Sequence, residues 1–216
     1  EVIYTQILKD LDEAENDLPI EYTTPLLNVS RAKKSTAIAL KTRVYLVQAN
    51  YDKVILESQK IVSSIAPFQY KAGNLTHKLE SNIVAIFGGS YTGTEAVFSI
   101  PFANTTTETP ASQYALAFNY LAQPIIFLTA AGISSDPALN TSDDARSGLI
   151  GTNAANQKVL KKFSITTAPF RDYVPVIRYA EVLLNYAEAA AYKDDLATAT
   201  ALLTAVRNRS NPSYVF

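Results

Sequence analysis

The sequence contains no cysteine, no methionine and no tryptophan, and it has a single histidine, His77. Without cysteine there are no disulfides and no thiolate metal sites, so the redox compartment leaves no trace in the composition. A lone histidine rules out a zinc site built from histidines. No glycine-rich phosphate loop and no Gly-x-Ser-x-Gly elbow occurs. No run approaches the ~20 apolar residues needed to span a bilayer, and the first residues do not read as a signal peptide. Charge of one sign is lacking as well. Nineteen Lys and Arg stand against twenty Asp and Glu, for a net charge of −1, and the basic residues are not gathered into the stripe that marks nucleic-acid binding. What is present is a globular composition, 48% hydrophobic and 18% charged over 216 residues, enough to bury a core in one domain or two small ones. Thirteen tyrosines and nine phenylalanines carry all the aromatic surface. The missing initiator methionine leads us to expect a processed chain or a fragment.

The clearest helical period lies in residues 175–191. Val176, Ala180, Leu183, Ala187 and Ala190 step by four and three, with Arg178, Glu181, Asn185 and Glu188 as a polar stripe. A partner follows at once in Leu196, Ala199, Leu203 and Val206, after a Lys193-Asp194-Asp195 turn in which an aspartate caps the second helix. Residues 1–18 have the same character, with Ile3, Ile7, Leu11, Ala14 and Leu18 on one side, and end before Pro19. Lacking a capping residue ahead of Glu1, this helix is expected to be preceded by more protein. Residues 20–30 read as a loop. Residues 33–48 and 51–65 form another pair, turned at Asn50 and closed by Pro67.

An offset of 145 residues lays this hairpin on the later one, aligning Tyr51 with Leu196, Val54 with Ala199, Ile61 with Val206 and Pro67 with Pro212. Two divergent copies of a tetratricopeptide-like unit account for that register; two unrelated hairpins sharing ordinary packing are the alternative. Two units cannot cover their own apolar faces, so the first helix and the middle of the chain are expected to help. The middle changes character. Residues 95–102 are β-prone, residues 111–124 are helical in pattern up to Pro124, and the rest is polar and irregular.

The run Pro175-Val-Ile-Arg-Tyr-Ala-Glu-Val-Leu-Leu-Asn-Tyr-Ala-Glu-Ala189, followed by Ala205-Val-Arg-Asn-Arg-Ser210, resembles the signature of the SusD/RagB family of surface glycan-binding lipoproteins. Lys34 to Leu46, Glu95 to Phe102 and Asp144-Ala-Arg146 are similar to landmarks of that family in the same order. The resemblance implies a mainly α fold, with tetratricopeptide-like helix hairpins forming a SusD-like scaffold and a loop-rich insertion containing short strands. It implies a single domain over 1–216, the central portion of a longer protein, with hairpins at 31–67 and 175–212 and the insertion at 68–174. By the same resemblance the protein is a non-enzymatic binder of oligosaccharides or other nutrients. Its partner is a SusC-like TonB-dependent outer-membrane transporter, and an N-terminal lipid anchor outside this chain holds it at the cell surface. No cofactor is implied.

Sugars ask for flat aromatic faces and for amides or charges that satisfy hydroxyls. Tyr91, Asn104, Gln113, Tyr114, Phe118, Asn119 and Tyr120 fall within thirty residues of the insertion and form the candidate ligand-binding set. Tyr91, between glycines, is expected to be exposed. Tyr114, Phe118 and Leu121 also have the spacing of a core stripe. No catalytic or metal-binding set emerges. His77 is expected in an exposed loop, and Asp143 and Asp144 are expected to be solvated or paired with Arg146. Glu181 and Glu188, the nearest approach to a glycosidase carboxylate pair, are expected in an ion-pair stripe in which Arg178 meets Glu181. A generic tetratricopeptide scaffold binding another protein is the alternative function, through exposed Lys41, Glu181, Asn185 and Glu188.

Overall fold

The computed structural model describes residues 2–87, 91–102, 114–139 and 143–216. Six α-helices and six short strands occur among them, and none of these helices is long and apolar enough to cross a membrane. Helix α1 (Val2–Asp17) lies against α3 and has no fully buried residue; Ile3 is 74% exposed, so the expected stripe is buried only toward its C-terminal half. Residues 20–30, expected as loop, contain α2 (Pro25–Ser30). Thr24 Oγ1 accepts the Leu27 amide at 3.3 Å, and Pro25 supplies a preset φ where no donor is needed.

Helices α3 (Lys34–Val47) and α4 (Tyr51–Gln59) form the first hairpin, and α5 (Tyr179–Tyr192) and α6 (Leu196–Asn208) the second. Both turns are built alike at the 145-residue offset. Ala49 and Asp194 take left-handed φ values of 54° and 60°. One residue on, Asn50 and Asp195 cap the helices that follow, accepting the amides of Lys53 and Thr198 at 3.4 and 3.1 Å. Repetition thus extends to backbone geometry. Helix α4 stops six residues earlier than its pattern predicts, because Ser63 turns its hydroxyl to the Ile65 carbonyl and accepts the Gln69 amide, an alternative to continuing the helix.

The signature run also begins differently. Val174–Arg178 is a strand, β6, pairing antiparallel with β3 (Ala96–Ile100), and the helix starts at Tyr179. Proline at 175 restrains Val174 from helix and the β-branched residues around it favour the pleat. The other strands form two hairpins: β1 (Tyr70–Ala72) with β2 (Leu75–His77), and β4 (Ile150–Thr152) with β5 (Lys158–Leu160).

The hairpins pack on one another through α4 and α5. Ile38, Ile61, Phe68, Val97, Tyr179, Val182, Leu183 and Leu202 share one core, where Ala187, Ala190 and Ala199 let α5 and α6 close in. Polar ties cross the same junction: Asn185 Nδ2 donates to Thr42 Oγ1 at 3.0 Å, and Arg43 grips both oxygens of Glu181 at 2.6 and 2.8 Å. The expected Arg178–Glu181 pair therefore does not form. Arg178 turns to Glu95 instead, at 3.0 Å, because the strand start at 174–178 points it off the helix face. Lys41 and Asn185, expected on exposed faces, are 1% and 8% exposed; each spends its polar head on partners across the helix junction.

Candidate functional site

The predicted ligand residues do not form one patch. Tyr91 is only 8% exposed, contrary to expectation. Its hydroxyl lies 2.5 Å from Asp172 Oδ1 and 2.8 Å from the Phe87 carbonyl, and its ring stacks on Tyr173 at 4.7 Å. Asp172 also accepts the Ser164 and Ile165 amides. Burial, reinforced by the Asp172 carboxylate, pushes the phenol pKa upward. Tyr91 is a pin between two stretches of the insertion: its phenol finds a buried acceptor that its glycine neighbours in sequence do not announce. Asn104 and Gln113 lie outside the described residues.

Tyr114 is 71% exposed. Within the described part of the helix expected at 111–124, residues 114–124, a short helical segment includes one π-helical turn, Phe118–Ala122. Phe118, Asn119 and Tyr120 are half-buried there, Tyr120 set against Phe163 at 5.5 Å. Asn119 Nδ2 donates to the Ala115 carbonyl at 3.3 Å. Ile125, Ile126 and Ile133 are exposed beyond it. The insertion thus exposes apolar and aromatic side chains, Tyr114 and Ile125 most of all among these.

A polar groove that the pattern did not reveal lies at the other end of the α2 region. Two adjoining cavities of about 270 and 690 Å³ share Pro25, Asn28 and Asn74. Tyr22, Thr23 and Thr24 line one, and Thr76, Thr92 and Thr94 the other. Local geometry holds the walls. Gly73 takes φ 58° in the two-residue turn between β1 and β2, and a Cβ there would come within 2.6 Å of Glu21 Oε1. Glu21 in turn accepts the Asn74 amide at 3.0 Å and its side chain at 3.2 Å. Asn28 is fixed by reciprocal bonds to the backbone of Tyr22 at 2.7 and 3.2 Å.

His77 forms part of the wall and is 1% exposed, not in an open loop. It ends β2, with Nδ1 3.3 Å from the Thr94 carbonyl and Nε2 3.1 Å from Ser35 Oγ. That pattern assigns the proton to Nδ1 and makes Nε2 the acceptor of the Ser35 hydroxyl. Burial, then the positive charge of nearby Lys33, lowers the imidazole pKa to about 3. Lys33 is itself fully buried, donating to the Asn28 and Val97 carbonyls at 2.7 Å each, and burial lowers its pKa to about 7. The groove therefore presents hydroxyls, amides and the Glu21 carboxylate beside a neutral imidazole, chemistry suited to a ligand rich in hydroxyls. Its sequence signals were the Thr23-Thr24-Pro25 helix start and the Gly73-Asn74 turn.

Among the described residues no group of three or more His, Asp or Glu side chains is placed to hold a metal ion. The Glu181 carboxylate is engaged by Arg43. Asp144 is fully buried and paired with Arg146 at 2.7 Å and Arg207 at 2.6 Å, as one of the two expectations for it held. Burial raises its pKa, and the hydrogen bonds from Arg146 and Arg207 outweigh that and lower it to about 2.

Repeated helix hairpins carrying a loop-rich insertion define a scaffold of the tetratricopeptide-like class. Residues 152–215 match the model of the SusD family, SusD_RagB. The fold is similar to that of a SusD superfamily protein from Bacteroides fragilis, at 31% identity and a TM-score of 0.78, covering 98% of this chain and 45% of that one. A SusD superfamily protein from Bacteroides vulgatus aligns at 23% identity and a TM-score of 0.73, over 98% of this chain and 47% of that one. Surface glycan-binding protein A from Bacteroides thetaiotaomicron, solved in complex with laminarihexaose, aligns at 14% identity and a TM-score of 0.72, over 99% and 55%. The chain thus spans about half the length of these solved relatives. No curated protein matches it. Residues 152–215 thus carry the SusD-family match, and the fold of the chain is that of a SusD superfamily protein.

Proposed function

We propose that this protein captures oligosaccharides, or other nutrients, at the bacterial cell surface and delivers them to a TonB-dependent outer-membrane transporter of the SusC-like kind. In this reading residues 1–216 are one SusD-like domain of a longer, lipid-anchored protein. The hairpins at 31–67 and 175–212 serve as the frame and the insertion at 68–174 carries binding surface. The observation that carries the reading is the SusD-family match at residues 152–215, with a fold shared with a SusD superfamily protein and with a protein solved with laminarihexaose. Two surfaces have suitable chemistry. Tyr114, with Phe118, Asn119 and Tyr120 behind it, offers an aromatic face, and the Glu21 to Thr94 groove offers hydroxyl and amide partners that are costly for a sugar hydroxyl to lose.

Calorimetric titration of the full-length protein against plant, host and storage glycans tests this. Capture of at least one glycan is expected, weakened about tenfold by Tyr114→Ala if the ring stacks on it, or by Thr23→Ala with Thr92→Ala if the groove receives it. Silence across the panel from a folded protein refutes the proposal. The interaction scaffold for another protein is disfavoured, since Lys41 and Asn185, two of the four residues on its supposed face, are buried.

A further inference from the structure

Four guanidinium groups meet at one cavity. Arg146, Arg178, Arg207 and Arg209 line a space of about 320 Å³ between α5, α6 and Ile83, with Leu184, Leu203, Val206 and Phe216 as apolar wall. Lys162 stands close by, its Nζ 4.4 Å from the centre of the Phe87 ring over which Arg178 also lies, at 5.1 Å. Carboxylates reach this group at few points. Asp144 serves both Arg146 and Arg207, Glu95 serves both Arg178 and Arg209, and Asp136 acts on Arg146 through space. Glu80 faces the Thr94 amide and hydroxyl instead. Two carboxylates, Asp144 and Glu95, are thus each shared between two of the four cavity arginines.

Arg209 carries the sharper observation. Its side chain is 8% exposed, and its Nε has no hydrogen-bond acceptor although the atom is buried. An unpaired buried donor on a charged group is expensive, and the cost is relieved when an anion arrives. Its pKa is held down by burial and by repulsion from Arg178 and Arg146, which outweigh Glu95; the cluster is short of negative charge at its centre.

We propose that this cavity binds the carboxylate of an acidic sugar, a uronate residue, with the guanidinium groups taking the carboxylate and the apolar wall taking the C–H face of the ring. Planar guanidinium edges match a carboxylate in bidentate fashion, and an apolar wall beside them excludes water that would weaken the pair. The inference rests on the saccharide-binding reading and narrows it to a substrate class. The same cavity makes poor provision for a neutral sugar, which would bring no charged acceptor to the Arg209 Nε.

The test is titration of the full-length protein with glucuronate, oligogalacturonate and their neutral counterparts, glucose and the methyl-esterified oligomer, at low and at physiological salt. The acidic probes are expected to bind at least tenfold tighter than the neutral ones, and more weakly as salt rises. Arg146→Gln leaves Asp144 paired with Arg207 and is expected to weaken acidic probes about tenfold, in keeping with the loss of a charge-assisted hydrogen bond. Leu184→Trp narrows the cavity without touching a charge and is expected to do the same, with thermal melts confirming that both variants fold. Capture of a neutral glycan with no preference for its acidic counterpart overturns this inference and leaves the proposed function standing. Acidic binding that survives both variants also overturns the assignment to this cavity. Silence toward every probe and glycan removes both readings together.

Discussion

Lys41→Met is the sharpest probe of how the frame holds its first helix. Lys41 is 1% exposed at the meeting of α1, α3 and α4, with Nζ 2.8 Å from Asp12 Oδ1, 3.1 Å from Glu57 Oε2 and in contact with Glu15. Burial alone would lower the ammonium pKa; the three carboxylates outweigh it and raise it. Methionine keeps the stem and deletes the charge, leaving Glu15 and Glu57, 18% and 10% exposed, with Lys60 as remaining partner. Removing one member of a buried ion pair costs about 3–5 kcal/mol. Two features reduce that here. Lys60 still lies 2.9 Å from each glutamate, and Asp12, 60% exposed, returns to water. The expected loss is about 2–3 kcal/mol, a fall in Tm of about 5–10 °C for a chain of this size. Because α1 has no fully buried residue, its proteolytic release should rise in step. Urea unfolding followed by circular dichroism measures the loss, and adding Glu15→Gln and Glu57→Gln should recover most of it, since no carboxylate is then stranded. A single variant within about 0.5 kcal/mol of the parent, or a triple variant no better than the single, refutes the reasoning.

Other expectations follow from the same geometry. Gly73→Ala forces a side chain into left-handed backbone at φ 58° and displaces Glu21 from Asn74, so about 1–2 kcal/mol of stability should be lost; an unchanged urea midpoint would contradict this. Tyr179→Phe removes the hydroxyl that donates to the Ile61 carbonyl at 2.7 Å in the core, with an expected cost of about 1 kcal/mol read from the same curves. For His77 the folded pKa, about 3, lies below the ordinary 6.5. The unfolded chain therefore binds the extra proton first, and stability should fall as pH drops below about 6.5 toward 3. Comparing urea midpoints at pH 7 and pH 5 should show a loss of about 1–2 kcal/mol that His77→Gln flattens. Asp144 has a folded pKa near about 2 against an ordinary 3.8, so its contribution is complete above about 4 and disappears as pH falls through about 2; Asp144→Asn should remove that part of the acid limb.

The hairpins were legible because local physics decides them. Periods of three and four fix which face of α3, α5 and α6 turns inward, and Asn50 and Asp195 mark both helix starts by satisfying orphan amides. The repeat at 145 residues was equally local, down to the matching left-handed turn residues. Boundaries failed where a partner from elsewhere intervened. Strand β6 occupies the first four residues of the apparent helix because β3, some eighty residues away, offers it a ladder, and periodicity within a window contains nothing about that.

Polar side chains were the least legible, and for one reason. Lys41, Glu181, Asn185, His77 and Tyr91 all read as surface residues in their own segments, and each is drawn inward by a group remote in sequence: Asp12, Arg43, Thr42, Ser35 and Asp172 respectively. A polar group is buried only where its hydrogen bonds are satisfied, and satisfaction here is long-range. The consequence for function runs the other way as well. Residues whose polar groups are already spent, such as Tyr91 on Asp172, have little left for a ligand. The informative positions are those the fold leaves unspent: Tyr114 in the open, the Thr23 and Thr92 hydroxyls on the groove, and the Arg209 Nε without an acceptor. The proposed binding chemistry is thus located by subtracting what the scaffold consumes from what the sequence supplies, and that subtraction needs the three-dimensional partners.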